Sequence, residues 1–249
     1  MANFLFKKSF QLKTFKPIIY DDLWGKRGVF STIRIIGKKP HYILFHDHLK
    51  NINLSLKKLN INFILSEKKL LSIIPSLNKI KKYDHLLRVA LNSKSISISL
   101  RKRLEPVKNF ESFLYRYQRS NPSLKNLYYK KIIKKLSSVN TQKKEIILLK
   151  DDFLLEGCTT NILCIRNKTI HIPKNNFYKG TTMNYLLSKT KRSSKKINIS
   201  VNKLFTFDEI ILVGSGKGVI SLKSINKIEW KPRSILIYKE LLNIYNKLL

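Results

Sequence analysis

Acidic residues are scarce in this chain: 15 Asp and Glu stand against 50 Lys and Arg, for a formal net charge of +35 over 249 residues. Such an imbalance raises nucleic acid as a partner to be weighed. The lysines run along nearly the whole chain in the company of Asn and Ile, three residue types that A/T-only codons can encode. That spread reads as compositional background, and the aromatics form no stacking motif of the RNA-recognition type. No specific nucleic-acid site is expected; weak, salt-sensitive attraction to polyanions is. Cysteine is also scarce. Two residues, Cys158 and Cys164, make no disulfide framework. Their separation of six would place both on one face of a strand as reduced, buried thiols. No apolar run reaches about 18 residues, so no membrane span is expected. The opening "MANFLFKKSFQLKTFKP" lacks the sustained apolar core of a signal peptide. A cytoplasmic protein is the simplest expectation. There is no internal repeat and no metal-ligand cluster.

What is present suits a globular chain. The hydrophobic fraction is 43%, and the length allows one large or two moderate cores. "VFSTIRII" (29–36) reads as a strand, "GKKP" as a turn and "HYILF" as a second strand. Asp47 is the expected cap of an amphipathic helix carrying Leu49, Ile52, Leu56 and Leu59. "SEKKLLSIIPSL" (66–77) reads as another helix, with Ser66 as its cap and Pro75 near its end. "HLLRVALN" and "SISISL" read as paired strands. Residues 104–123 hold two prolines and no clean period, which suggests a boundary. The expected organisation is a smaller N-terminal α/β domain (1–104), a linker (105–123) and a larger C-terminal domain (124–249). Within the latter, 124–138 reads as a helix. "EIILLKD", "FLLEG", "NILCIRN", "TIHIP", "DEIILVG" and "GVISL" read as strands. "TTMNYLLSK" and "SILIYKELLNIYNKLL" read as helices, and "KTKRSSKKINIS" as a solvated connection.

One residue interrupts this pattern. Glu156 sits in "KDDFLLEGCTTNILCI", a run of strand type about to enter a core. A carboxylate there needs water or a cationic partner.

In order and wording, "GVFSTIRI", "HDHLKNI", "SLKNLYY", "LLEGCTTNIL", "YKGTTMNYLL" and "ILVGSGKGVISL" resemble the class IV, or D-amino-acid-aminotransferase-like, pyridoxal-phosphate enzymes. That family includes branched-chain and D-amino-acid aminotransferases and 4-amino-4-deoxychorismate lyase. The resemblance spans about residues 20–227 and implies the two-domain fold of the family, an α/β fold of α+β type. It implies pyridoxal 5'-phosphate as cofactor. Lys125 matches the lysine that carries the cofactor and moves the proton; it precedes Glu156 by 31 residues. Glu156 matches the acid that faces the pyridine nitrogen, which gives it a cationic partner in the cofactor itself. Thr181 and Thr182, after Gly180, match a phosphate-binding helix start. Ser215 and Gly216 of "GSGKG" match a second phosphate loop. A nucleotide P-loop is excluded there: it needs Gly where Ile211 stands and Ser or Thr where Gly218 stands.

Three departures stand out. Asn51 occupies the place of the family's phosphate arginine, and Lys50 points about 100° away on a helix. Ser31 replaces the glutamate of the usual Phe-Glu-Thr. Arg88 is the sole arginine in the segment that often supplies a carboxylate-binding one. The resemblance implies amino transfer between an amino acid, branched-chain by default, and a 2-oxo acid. The alternative is 4-amino-4-deoxychorismate lyase in 4-aminobenzoate synthesis; a further one is a noncatalytic polyanion-binding protein on a decayed fold. A homodimer is expected by resemblance.

Overall fold

A computed structural model describes residues 4–75 and 80–249. The chain divides into two compact units. The first holds the chain up to Arg103 together with Leu124–Lys130 and Leu249; the second holds Leu104–Ser123 and Lys131–Leu248. Residues 105–123 thus fold with the second unit, and the segment bearing Lys125 with the first.

The first unit contains strands β1 (Phe4–Gln11), β2 (Pro17–Ile18), β3 (Val29–Gly37), β4 (His41–Tyr42), β5 (Tyr83–Leu91) and β6 (Ser95–Lys102). They form one antiparallel sheet in the order β2-β1-β6-β5-β3-β4. Its register lines up one apolar face: Ile33 opposite Leu87, Leu87 opposite Leu100, and Val89 opposite Ile98. Helices α1 (Phe45–Lys58) and α2 (Glu67–Ile73) cover that face through Leu49, Ile52, Leu56, Leu70 and Ile73. Side chains alternate along a strand, so even-numbered residues of β3 and β5 look the other way. Phe30 and Arg88 lie there, on the face without the helices.

Ser66 caps α2 as expected, accepting from the Lys69 amide. The last residues of the helix expected over 66–77 fall outside the described residues. Asp47 is not the cap of α1: the helix starts earlier, after Leu44 in the left-handed region, and Asp47 lies in the first turn. There its charge still suits the positive end of the helix dipole. "HYILF" contributes only the two-residue β4, because Phe45 already belongs to α1.

The second unit contains β7 (Phe110–Arg116), α3 (Lys130–Leu136), β8 (Lys144–Lys150), β9 (Phe153–Gly157), β10 (Asn161–Arg166), β11 (Thr169–Pro173), α4 (Thr181–Lys189), β12 (Ser194–Ile197), β13 (Glu209–Gly214), β14 (Gly218–Ile225) and α5 (Leu236–Asn246). Lys130, the first residue of α3, is grouped with the other unit. The sheet order is β12-β11-β10-β13-β14-β7-β8-β9, with parallel pairings at β11–β12, β14–β7 and β7–β8. Both faces are buried. Ile162, Cys164, Ile210 and Leu212 join one apolar cluster; Leu163, Ile165, Ile211 and Val213 join the other, under α4 and α5. That explains the near-continuous apolar runs of β10 and β13. Glu209, fully inside, accepts from the Ile237 and Tyr238 amides at 2.9 and 2.8 Å and so satisfies the start of α5.

Several expectations are corrected here. The aperiodic stretch contains β7, and the supposed connection "KTKRSSKKINIS" contains β12. Both run parallel to a neighbour in the sheet, a non-local pairing that carries little local pattern. The helix expected over 124–138 begins only at Lys130. Residues 125–127 instead bond to the start of β3: the Phe30 amide donates to the Lys125 carbonyl at 2.9 Å, and the Leu127 amide to the Gly28 carbonyl at 3.0 Å. The two cysteines share no strand either, since Cys158 lies in the bend after β9. Burial pushes both thiols upward, so they are inert at neutral pH.

Candidate active site

Glu156 enters the interior with a partner the sequence did not reveal. Arg119, from the stretch after β7, donates its Nε to Glu156 Oε1 at 2.7 Å, and both side chains are more than nine-tenths buried. Arg119 Nη2 is tied to the Pro122 carbonyl at 2.9 Å. Glu156 Oε2 accepts from the Tyr178 amide at 3.2 Å. Burial keeps such a pair in place only with bonds of this kind on every side. An ionised carboxylate only accepts hydrogen bonds, which is the chemistry that a protonated ring nitrogen needs opposite it. Burial, with Glu156 adding to it and Arg119 opposing it, pushes the Tyr178 phenol up to about 12. Tyr178 therefore stays a neutral hydroxyl.

The bend after Glu156 is built around a second buried acid. Glu145 on β8 is fully buried and accepts from the hydroxyls of Thr159 and Thr160. Asn161 then opens β10, opposite Val213 of β13. Its Nδ2 donates to the Tyr178 carbonyl at 2.5 Å, and its Oδ1 accepts from the Gly180 amide at 3.0 Å. Gly180 is the N-cap of α4 and makes no side-chain cap bond to the helix. A Cβ at Gly180 would land on Asn161 Oδ1. Thr181 and Thr182 follow, both buried. Thr182 Oγ1 lies 3.4 Å from Ser215 Oγ.

"GSGKG" is the hairpin turn between β13 and β14, with Gly214 opposite Gly218. Gly218 has φ of +76°, a conformation that favours glycine. A P-loop connects a strand to a helix, so the fold excludes it as the sequence did. Lys217 reaches the Thr141 carbonyl and lies 4.8 Å from the Phe110 ring.

Glu156, Thr181, Thr182, Ser215 and Gly216 thus share the second unit, whereas Lys125 belongs to the first. The Lys125 Nζ lies 5.2 Å from the Phe30 ring centroid. Phe30 meets Trp24 edge-on at 4.8 Å and Tyr129 at 5.2 Å. The Arg88 guanidinium rests on Trp24 at 3.7 Å and lies 5.7 Å from Phe30. Its Nη2 donates to the Asp22 carbonyl, and its Nε is buried without a hydrogen-bond partner. Burial lowers its basicity to about 10, against the opposing pull of Tyr20 and Asp22. The residues 130, 131, 134 and 135, all lysine, are exposed. Asn51 lies half-buried on α1.

Ser31 turns to the helix-covered face, where its hydroxyl is 2.7 Å from His48 Nδ1. Burial, and next the Lys125 charge, drive the His48 imidazole down to about 3. An unfolded His titrates near about 6.5. Between those values the unfolded chain binds the extra proton, so this contribution to stability is full above pH 6.5 and is lost as pH falls toward 3. Between pH 7 and 4.5 the parent protein is expected to lose about 2–3 kcal/mol more than His48→Asn in urea unfolding. Equal losses would mean that His48 is solvated or charged in the folded state.

Among the described residues no three His, Cys, Asp or Glu side chains are placed to hold a metal, and no helix is long and apolar enough to cross a membrane. Solved structures with the same fold include a candidate 4-amino-4-deoxychorismate lyase of Legionella pneumophila, 19% identical, with a TM-score of 0.75 over 89% of this chain and 91% of that one. A branched-chain aminotransferase of Thermoproteus uzoniensis with norvaline is 16% identical, with a TM-score of 0.77 over 96% and 93%. A hypothetical aminotransferase of Mycobacterium tuberculosis in a pyridoxal-phosphate-bound form is 13% identical, with a TM-score of 0.74 over 98% of each chain. No curated protein matches by sequence. A family model described as amino-transferase class IV matches residues 28–225, and the chain belongs to that family, the class IV aminotransferases, whose cofactor is pyridoxal 5'-phosphate.

Proposed function

We propose that this chain cleaves 4-amino-4-deoxychorismate, releasing pyruvate and 4-aminobenzoate, with pyridoxal 5'-phosphate carried on Lys125. The cofactor, when bound, supplies an electron sink. The chain's residues do the rest. Glu156, kept in place by Arg119 and the Tyr178 amide, holds a proton on the ring nitrogen. The start of α4, where the positive end of the helix dipole lies, with the Thr182 and Ser215 hydroxyls, suits a phosphate dianion. The Lys125 amine moves the proton at the reacting carbon.

The observation that carries the lyase reading is Arg88. It shares a sheet face with Phe30, on whose ring the Lys125 amine lies, and it has a buried Nε with no partner. A buried unpaired donor costs free energy that a carboxylate would recover. A substrate with one carboxylate on an unsaturated ring and another on its enolpyruvyl ether suits both the guanidinium and the aromatic walls. Ser31 points the same way, because it stands where many members of the family carry a carboxylate on β3 and bonds instead to a neutral His48. The aromatic walls of Trp24, Phe30 and Tyr129 favour a second reading, amino transfer from a branched-chain amino acid, whose side chain they could cover. Both readings place the substrate at Lys125.

An assay separates them. Protein loaded with pyridoxal phosphate is expected to release pyruvate from aminodeoxychorismate with no 2-oxo acid added. Transamination of leucine or D-alanine with 2-oxoglutarate, without pyruvate release, would replace the lyase reading by the second. Turnover of neither, with retained binding of polyanions, would favour a noncatalytic role.

A further inference from the structure

The two ends of the cofactor reading lie on different elements of the second unit. Glu156 lies next to the end of β9, and Gly180 caps the start of α4. A rigid ligand such as a phosphorylated pyridine has a fixed distance between ring nitrogen and phosphate. Both ends bind together only if the protein holds that spacing. Sequence adjacency cannot set it, since 24 residues lie between Glu156 and Thr181.

One side chain bridges the gap. Asn161 is buried and anchored in the sheet by its pairing with Val213. Its amide grips the strand-like segment before α4 from both ends: Nδ2 on the Tyr178 carbonyl, Oδ1 on the Gly180 amide. The same segment is tied to the acid itself, because the Tyr178 amide donates to Glu156 Oε2. Residues 178–180 therefore hang between Glu156 on one side and Asn161 on the other. The contact is close: a Cβ at 180 would meet the Asn161 oxygen and push it aside. The first turn of α4 then follows, with the Asn184 amide bonded to the Gly180 carbonyl at 3.0 Å. Rotation of the Tyr178–Gly180 peptides would swing the helix start away from the acid.

We propose that Asn161 is a positioning residue that fixes the spacing between Glu156 and the start of α4, so that one rigid ligand is met at its ring nitrogen and its phosphate together. This inference rests on the cofactor reading above. Asn is suited to the task because one planar amide supplies a donor and an acceptor at a set separation. Aspartate accepts from Gly180 but cannot donate to Tyr178, and it adds a negative charge next to a phosphate site. Neither Thr159 nor Thr160 could substitute, since both hydroxyls are committed to Glu145.

Equilibrium binding of pyridoxal phosphate and of pyridoxal, which lacks the phosphate, tests the idea. Each is titrated into the unmodified protein, Asn161→Ala and Asn161→Asp. The alanine variant is expected to bind pyridoxal phosphate about tenfold or more weakly, while pyridoxal affinity changes by less than about threefold. The aspartate variant is expected to lose at least as much for the phosphorylated ligand. The near-ultraviolet circular dichroism of bound cofactor is expected to shift, as its ring is no longer held at both ends. Gly180→Ala, which presses on the same contact from the other side while keeping the amide, is expected to show the same ligand selectivity. It decides the matter if the Asn161 variants do not fold. Equal losses for both ligands, or no loss, would overturn the proposal. Failure of the unmodified protein to bind pyridoxal phosphate would instead remove the cofactor reading on which it stands.

Discussion

Arg119→Leu is expected to destabilise the chain by about 3–5 kcal/mol, because it leaves Glu156 buried without its cation. The pair is more than nine-tenths buried at both partners, so solvent cannot take over the role of Arg119. Loss of the Nη2 bond to the Pro122 carbonyl adds to the effect by freeing the turn before Lys125's segment. Arg119→Leu with Glu156→Leu is expected to recover most of the stability, since removing both charges removes the uncompensated one. Urea unfolding of the parent, both single variants and the double variant measures the coupling directly. A single-variant loss below about 1 kcal/mol, the range of exposed pairs, would show that water reaches Glu156. Glu156→Gln is informative in the same series. The carboxylate accepts on both sides, from Arg119 and from the Tyr178 amide, whereas an amide turned to accept from Arg119 presents its NH2 to the Tyr178 N–H. That variant is expected to loosen residues 178–180 as well as to slow turnover.

Lys125→Ala is expected to lower turnover by about a thousandfold or more, the order that loss of a positioned proton-transfer group and nucleophile produces. Cofactor binding is expected to weaken without vanishing, since the acid and the helix start remain. In the unmodified protein, borohydride treatment with pyridoxal phosphate is expected to leave a stable link that peptide mapping finds at Lys125. A link at Lys130, Lys131, Lys134 or Lys135 would be read as surface labelling, because those lysines are exposed. A link at another buried or half-buried lysine, or none, would end the assignment. Lys125→Arg separates the two contributions of the side chain: it keeps the positive charge beside Phe30 but cannot form the link.

Much of the fold is legible in the sequence because it rests on local pattern. The strand at 29–36, the hairpin of β5 and β6, and helices α1, α4 and α5 follow from apolar spacing and turn residues. Glu156 also announced itself, as an acid inside an apolar run. Arg119 did not, because a lone arginine in an aperiodic stretch of a lysine- and arginine-rich chain gives no sign of which carboxylate it meets. Asn161 was hidden for the same reason: Asn is abundant, and its value lies in facing Tyr178 and Gly180, residues far along the chain. The segment 124–129 misled, since its leucines and tyrosines suit a helix while its backbone groups are taken by Gly25, Gly28 and Phe30. Tertiary hydrogen bonds of that kind outweigh helix propensities, which amount to about 0.7 kcal/mol or less per ordinary residue.

The sequence by itself determined the family and the two sheets' principal strands, and it supplied the acid and the lysine proposed for the site. These depend on residue type and spacing, which a linear string carries in full. Only the tertiary structure decided what holds the acid, which way Ser31 and Arg88 face, and how the start of α4 is tied to β9. Each of those depends on a burial or a bond between residues distant in sequence. The free energy of a buried charge or amide is set by the partner it meets and not by its neighbours in the chain.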